Sequence, residues 1–126
     1  MFCAETADAA VRIAREPLNR YLKSVVAAAS EWTEGLNSQD YPNYDKIIAA
    51  LAQETFDTQV AKGCAWVGTP GELTQRILAF NDEVGGFESA SLQVNFNTIA
   101  LDDAMRSMCL FAHEVMPAVR GRLLAA

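Results

Sequence analysis

Apolar residues recur at helical spacing over most of the chain and alternate strictly in only one stretch. Stripes with the period of an α-helix predict helices over residues 6–34, 45–62, 70–84 and 101–116. Pro17 lies inside the first of these ranges, and a proline within a helix removes a backbone hydrogen bond. We therefore expect that range to divide into two helices, so the pattern predicts four to five helices in all.

Three shorter stretches predict strands. Residues 1–5 read as the end of a buried strand, and residues 64–67 form a second short apolar run. In residues 91–96, apolar side chains alternate with polar ones, which is typical of a strand with one buried and one exposed face. Two to three short strands separated by helices predict an α/β fold with a parallel sheet in a single domain.

The sharpest boundary signal lies just before residue 70. Thr69 suits a helix N-cap, Pro70 suits the first helical position, and Glu72 lies three residues after Thr69, as a capping box requires. The N–H groups at such a helix start can bind a phosphate, but the Glu72 carboxylate competes for them, so we expect a structural cap. Residues 35–44 are rich in turn formers and predict a loop.

Composition narrows the class of partner. The 126 residues include 51% hydrophobic and 21% charged residues, as in a globular domain, and the formal net charge is -6. An acidic chain with scattered Lys and Arg argues against nucleic acid and against an anionic membrane as partners. No apolar run approaches the roughly 18 residues that a membrane span needs.

The cysteines, the single histidine and Trp66 give only weak evidence for a redox, metal or cofactor site. The three cysteines are widely spaced and form no Cys-x-x-Cys pair, which favours a reduced, cytoplasmic setting. We expect Cys64, Cys109 and Trp66 to be packed in the core, and Cys3 to be the cysteine most open to oxidation. His113 is the only histidine and has no second histidine four residues later, so we expect a helix-surface residue and not a zinc ligand.

Several motifs follow one another along nearly the whole chain. They are Arg15-Glu16-Pro17-Leu18, Val67-Gly68-Thr69-Pro70-Gly71-Glu72-Leu73, Gly85-Gly86-Phe87, Leu92-Gln93-Val94-Asn95-Phe96, Ala104-Met105-Arg106-Ser107-Met108 and Leu110-Phe111-Ala112-His113-Glu114-Val115-Met116-Pro117. The Gly-Thr-Pro start is good helix chemistry in any protein, but the ordered set is more specific. In this order the motifs resemble the C-terminal part of luciferase-like monooxygenases, a family of flavin-dependent (β/α)8 barrels.

The resemblance implies that the chain is a helix-rich C-terminal fragment of a TIM barrel. Residues 1–5 would be the tail of the sixth strand, and the first five strands would be absent together with most of the flavin cradle. A partial barrel leaves open sheet edges and an uncovered face, which favour self-association. The expected partner is therefore a second copy of the chain or the missing half of the barrel.

The resemblance also implies a ligand site at the carboxyl ends of the strands. In a strand at residues 91–96, Gln93 and Asn95 would face the barrel interior, and Asn97 and Thr98 would follow at its end. Their amide and hydroxyl groups are candidates for lining a cofactor cleft. The alternative is that they simply bond backbone groups or water. No catalytic residue and no metal ligand is assigned.

The complete enzyme of this family would use reduced FMN and molecular oxygen to oxygenate a small organic substrate, with the cofactor supplying the oxygen chemistry. A deazaflavin-dependent oxidoreductase is an alternative that nothing in the residues separates from it. Because most of the barrel is missing, we expect this chain to be inactive alone. Two further hypotheses are a non-catalytic remnant that oligomerises or docks onto another chain, and a binding module that keeps part of the pocket.

Overall fold

The computed structural model describes residues 1–33 and 43–123 of the chain, so most of the predicted loop at residues 35–44 lies outside the described residues. The described part is helix-rich, with one small parallel sheet, which confirms the α/β prediction at that level. The strands are β1 (Phe2–Cys3) and β2 (Val67–Gly68). The helices are α1 (Ala7–Thr33), α2 (Tyr44–Leu51), α3 (Phe56–Ala61), α4 (Pro70–Glu83), α5 (Leu101–Leu110) and α6 (Met116–Leu123), with a π-helical turn at Phe111–Val115 between the last two.

The sheet is a parallel pair joined by a helical crossover. Phe2 lies opposite Val67, and Cys3 lies opposite Gly68. Helices α1, α2 and α3 connect the two strands, as in the strand–helix–strand units of parallel sheets. The strand predicted at residues 64–67 therefore begins later than expected, because the paired positions are Val67 and Gly68 alone.

Helix α1 passes through Pro17 without a break, so the prediction of two helices in residues 6–34 was wrong. Ala10 and Ala14 before the proline are fully buried, and Leu22 and Ala29 beyond it are also buried. Helix stability in proteins comes largely from the packing of such a continuous face. Contacts of α1 with β2, α2 and α3 offset the lost hydrogen bond, which costs roughly 3 kcal/mol.

Residues 45–62 form two helices where one was predicted. Thr55 adopts an extended backbone at φ -132° and ψ 170°, and it caps α3. The Thr55 N–H donates to the Thr58 hydroxyl at 2.8 Å, and the Thr58 N–H donates to the Thr55 hydroxyl at 3.3 Å. The sequence interpretation missed this capping box because threonine stands at the position where Glu or Gln is usual.

The alternating stretch at residues 91–96 is not a strand, so this prediction was wrong. The predicted faces are nevertheless present. Phe96 is buried, Leu92 and Val94 are partly buried, and Gln93 and Asn95 between them are exposed. Alternation therefore predicts correctly which side chains are buried, and fails to predict whether the backbone pairs.

The outer edge of β1 explains why pairing stops. Alternate N–H groups of an extended strand point to opposite edges, and those of Met1 and Cys3 point away from β2. The Met1 amino group donates to the Gln93 carbonyl at 2.7 Å, but the Cys3 N–H donates to the Ser107 hydroxyl of α5 at 2.8 Å. A side chain of α5 therefore takes the position of a third strand. The contact also sets Gln93 beside β1, whereas consecutive barrel strands would set it beside β2.

Helix α4 begins and ends where the sequence predicts. Thr69 caps it in a capping box with Glu72, and Pro70 is its first residue. Gly85 and Gly86 follow its end with φ of 77° and 97°, in the left-handed region that glycine enters without steric cost. These boundaries depend on local chemistry alone, which is why the sequence specifies them.

The predicted helix at residues 101–116 extends further than expected, to Leu123, although Pro117 lies within it. The Met116 N–H donates to the carbonyl of Phe111, five residues earlier, which makes the turn before the proline wider than an α turn. A proline ring clashes with the carbonyl four residues before it in regular α geometry. The wide turn lies at that point, and the chain continues into α6.

Two buried clusters lie on opposite sides of β1, because successive side chains of a strand point to opposite faces. The first core contains Phe2 with residues of α1, α3 and α5, and its members are Phe2, Ala4, Ala10, Ala14, Phe56, Phe96, Ile99 and Ala104. The second core contains Cys3 with residues of α4 and the π turn, namely Leu73, Ile77 and Val115. Two consecutive residues of one short strand therefore anchor both cores.

The cysteines lie opposite to expectation. Cys3 is 2% exposed, and burial raises the pKa of its thiol to about 11, which makes it the least reactive of the three. Cys64 and Cys109 are exposed. The prediction failed because it treated the first residues as a truncated, open strand, whereas helices cover both faces of β1.

Candidate functional site

Two clefts lie at opposite ends of the sheet. The carboxyl-end cleft, about 340 Å³, surrounds Ala4 and Glu5 after β1. The amino-end cleft, about 500 Å³, includes Met1 before β1 and Trp66 before β2. In parallel α/β sheets, ligands bind at the carboxyl ends of strands, so the first of these clefts occupies the position that the fold class favours.

The carboxyl-end cleft carries charges of both signs. Arg12 comes from α1, Arg106 and Asp103 come from α5, and Glu5 comes from the turn after β1. A guanidinium N–H of Arg106 donates to the Asp103 carboxylate at 2.9 Å. Guanidinium groups suit phosphate or carboxylate ligands, whereas Glu5 and Asp103 oppose an anion. The lining therefore offers two arginines to an anion, in competition with its own acidic residues.

FMN requires both a phosphate site and a surface for its ring system. Arg12 and Arg106 fit the phosphate end. The aromatic residue of this lining is Phe2, which is 2% exposed and packed in the first core, so its ring is not presented to a ligand. The described residues thus fit the phosphate end of FMN and do not fit its ring.

The structure does not bring the four sequence-predicted site residues together. Gln93 lines the amino-end cleft, while Asn95, Asn97 and Thr98 are exposed and line neither cleft. The Asn97 amide donates to the Ser24 hydroxyl at 3.0 Å, and its φ of 51° turns the chain towards α5. The four residues do not share one cleft, because residues 91–96 do not form the strand that would have aligned them at the carboxyl end of the sheet.

The start of α4 is closed to anions, as the sequence predicts. The backbone N–H and the hydroxyl of Thr69 donate to the Glu72 carboxylate at 2.8 and 2.9 Å. These hydrogen bonds hold the pKa of Glu72 below its usual value. A Cβ atom at Gly68 would lie 2.7 Å from this carboxylate, so glycine is needed there for the cap to form.

The amino-end cleft has aromatic walls that sequence interpretation assigned to the core. Trp66 is half-buried, and its indole N–H donates to the Gly63 carbonyl at 2.9 Å. Its ring contacts Phe80 edge-on, with centroids 5.6 Å apart and planes at 66°. Tyr21 and the exposed Cys64 line the same cleft. The sequence signal for a surface turn near Trp66 was Gly63, which has a φ of 73° in the structure.

The arginines of the carboxyl-end cleft were also missed. Glu5 lies two residues after the end of β1, in the region where barrels place ligand groups, and that signal was present in the sequence. Arg12 and Arg106 carry no such signal, because they lie on two helices almost a hundred residues apart. Only the packing of α1 and α5 around β1 brings them to one cleft.

Two further groups of ion pairs and hydrogen bonds lie outside the clefts. Arg15 donates to Asp57 at 2.5 Å and lies 4.6 Å from the ring centroid of Phe56, which ties α1 to α3. Glu54 accepts from Lys62, Thr58 and Gln59, and these donors lower its pKa to about 2. Both groups line neither cleft, so we read them as structural.

Comparison of the chain with models of protein families, with curated proteins and with solved structures finds no match. In the described part of the chain, no three His, Cys, Asp or Glu side chains are placed to hold a metal ion. Among the helices described, none is both long and apolar enough to cross a membrane. The carboxyl-end and amino-end clefts are the candidate ligand sites at the two ends of the sheet.

Proposed function

We propose that this chain is the C-terminal part of a luciferase-like, flavin-dependent monooxygenase and acts only with the rest of a barrel, supplied by another chain. The assembled enzyme would bind FMN, or a deazaflavin as the alternative, and oxygenate a small organic substrate with molecular oxygen in the cytoplasm. The observation that carries the proposal is the carboxyl-end cleft with Arg12 and Arg106, beside a parallel strand pair joined by helices.

The residues of this chain would hold the cofactor at one end. Arg12 and Arg106 would donate hydrogen bonds to the FMN phosphate, which charge-assisted bonds from arginine suit well. The bound flavin would supply the chemistry with oxygen, and the partner chain would supply the walls around its ring. Gln93 lies beside β1 and not beside β2, which differs from the strand order of a complete barrel. The partner chain would therefore have to pair with the free edge of β2.

The test compares FMN with riboflavin, which has the same ring and no phosphate. Flavin fluorescence and the mass in solution are followed on the same purified sample. We expect saturable binding of FMN and weaker binding of riboflavin. Arg12→Gln should weaken FMN binding roughly tenfold, because a hydrogen bond to a charged group contributes about 1.5–3 kcal/mol.

Arg20→Gln is the matched control, since Arg20 lies on the same helix and pairs with Glu16 outside the cleft. It should leave FMN binding unchanged. Equal binding of FMN and riboflavin, or equal effects of the two arginine variants, would contradict the phosphate site. Absence of any flavin binding, at every oligomeric state observed, would contradict the flavin assignment for this chain.

A second candidate is a non-catalytic remnant that oligomerises or docks onto another chain. Large apolar side chains are exposed on α2 and α5, notably Ile47 at 59%, Leu101 at 66% and Met105 at 49%. Exposed apolar surface favours association. A defined dimer that binds no flavin, and that Leu101→Lys or Met105→Lys dissociates, would favour this candidate over the enzyme.

A further inference from the structure

The amino-end cleft is separate from the site of the proposed flavin function. It lies where β1 and β2 begin, and Arg12 and Arg106 lie beyond the other end of β1. Its volume of about 500 Å³ is within the range of about 300–1,000 Å³ found for small-molecule pockets. Such a volume suits one small molecule and is too small for a folded partner.

The walls of this cleft favour a flat aromatic ligand. Tyr21, Trp66 and Phe80 line it from α1, from the turn before β2 and from α4. The Trp66 ring is held by its hydrogen bond to Gly63 and by its edge contact with Phe80. Aromatic pairs in offset or edge-on geometry contribute about 0.5–1.5 kcal/mol beyond area burial. A ring held in place costs little further ordering when a ligand packs on it.

The charges around the cleft favour a neutral ligand. Of the described residues that line it, none carries a charged side chain. The Met1 amino group donates to the Gln93 carbonyl, and burial lowers its pKa, which favours its uncharged form. An ion without a partner is costly to bury. Polar groups are present at Ser91 and at the side chain of Gln93, where a neutral ligand can place a hydrogen-bonding substituent.

We propose that the amino-end cleft is a binding site for a neutral, planar aromatic molecule of about two fused rings, packed against Trp66 and Tyr21. This site does not depend on the flavin proposal, because it shares no residue with the carboxyl-end cleft. Its occupant differs in charge from FMN, which carries a phosphate.

The cysteines provide an internal reporter. Cys64 is exposed and lines the amino-end cleft, whereas Cys109 is exposed on α5 and lines neither cleft. Cys3 is buried, and its raised pKa keeps it as the unreactive thiol. A molecule in the cleft should therefore shield Cys64 from alkylation and leave Cys109 as reactive as before.

The experiment uses two dyes with the same aromatic framework. N-Phenyl-1-naphthylamine is neutral, and 1-anilinonaphthalene-8-sulfonate carries a sulfonate. We expect the neutral dye to bind saturably, with one molecule per chain, and at least about tenfold more tightly than the sulfonate. At about ten times its Kd, the neutral dye should slow alkylation of Cys64 by iodoacetamide about tenfold, with Cys109 unaffected, as measured by peptide mass spectrometry.

A matched pair of variants places a charge inside or outside the cleft. Ser91→Glu puts a carboxylate in the lining, and Ser89→Glu puts one two residues earlier, at an exposed position that does not line the cleft. Both positions are exposed, so both variants should fold. Ser91→Glu should weaken binding of the neutral dye about tenfold or more, and Ser89→Glu should leave it unchanged.

Three outcomes of the dye experiments would overturn the proposal. They are equal affinity for the two dyes, equal protection of Cys64 and Cys109, and equal binding by the two glutamate variants. Protection of Cys64 that grows with chain concentration in the absence of dye would assign the cleft to a second copy of the chain, and would overturn it as well.

Discussion

Residues 2–4 and residues 91–96 both supply buried side chains to the first core, yet only the first stretch contains a strand. On one side, β1 pairs with the backbone of β2, with Phe2 opposite Val67. On its other side a single hydrogen bond joins Met1 to Gln93, after which Ser107 takes the next donor. Burial of side chains and pairing of backbones are therefore separate requirements, and a strand needs both.

The largest expected effect tests whether the two stretches differ in rigidity. Phe2 and Phe96 are 2% and 4% exposed, in the same core. Phe2→Ala should cost about 3–5 kcal/mol of unfolding free energy, because a paired strand cannot collapse into the cavity. Phe96→Ala should cost less, roughly 2–3 kcal/mol, because an unpaired backbone can move inward.

Urea unfolding measures both changes. Val84→Ala serves as a reference, because that side chain is 48% exposed and its truncation should change stability by less than about 0.5 kcal/mol. Equal losses for the two phenylalanines would show that residues 91–96 are as rigid as β1, and the comparison would then fail.

The next effect concerns the hydroxyl that ends the sheet. Ser107 is fully buried, and Ser107→Ala would leave the Cys3 N–H without its acceptor. A buried unsatisfied donor costs about 1–3 kcal/mol. Amide hydrogen exchange at Cys3 should also become faster, which a loss of packing elsewhere would not produce selectively.

Ser24→Ala is the control for this change. Ser24 also accepts a side-chain hydrogen bond, from Asn97, but it is exposed, so its loss should cost less than about 0.5 kcal/mol. If Ser107→Ala and Ser24→Ala prove equal in stability and in Cys3 exchange, then Ser107 does not hold the edge of β1.

A smaller effect tests a boundary that local chemistry sets. Thr69→Ala removes the N-cap of α4 and should lower the unfolding free energy by about 1 kcal/mol. Thr69→Ser keeps the hydroxyl and should retain most of that stability. A loss in the serine variant as large as in the alanine variant would mean that the threonine methyl group, and not the cap, provides the stabilisation.

The smallest effect is a change in the response to acid. Hydrogen bonds from Thr69 hold the pKa of Glu72 below its usual 4.5. The stabilisation is therefore present above that value and is lost as the pH falls through the lower pKa of the folded state. Glu72→Gln should flatten the decline of the urea midpoint as the pH falls below about 4.5.

A double variant isolates the Glu72 interaction. In a Thr69→Ala background the donors that lower the pKa of Glu72 are reduced to the backbone N–H, so Glu72→Gln should have a smaller additional effect there. If Glu72→Gln flattens the acid response equally in both backgrounds, the Thr69 hydroxyl contributes nothing to it.

What the sequence predicts well is what neighbouring residues decide. The start of α4 at Thr69 and Pro70, and its end before Gly85, depend on groups within one turn. The continuity of α1 through Pro17 depends on packing against four other elements, so the sequence predicted a break that the structure does not have. The wrong strand prediction at residues 91–96 also results from a distant contact. The Cys3 N–H that a third strand would have used bonds to Ser107, which lies on a later helix.

The candidate site residues also divide into those that neighbouring residues position and those that distant packing positions. Glu5 could be placed from the sequence, because it lies within two residues of the end of β1. Arg106 and Cys64 could not, since one reaches its cleft through the packing of α5, and the other through a turn that exposes a thiol expected in the core. Gln93 reaches a cleft at the amino ends of the strands, at the opposite end from the one its predicted position implied.

The wide turn at Phe111–Val115 also sets the rotational phase of everything after it. Each residue of a regular helix advances the side-chain direction by about 100°, so one residue more per turn rotates the following segment by that amount. With this rotation, Val119 of α6 packs against the second core. If the same residues continued in regular α geometry, Val119 would turn about 100° away from the second core. Deleting one residue of the turn would instead restore regular α geometry and keep Val119 on that core, so the register of α6 is encoded by the extra residue of this turn and not by the stripe of α5.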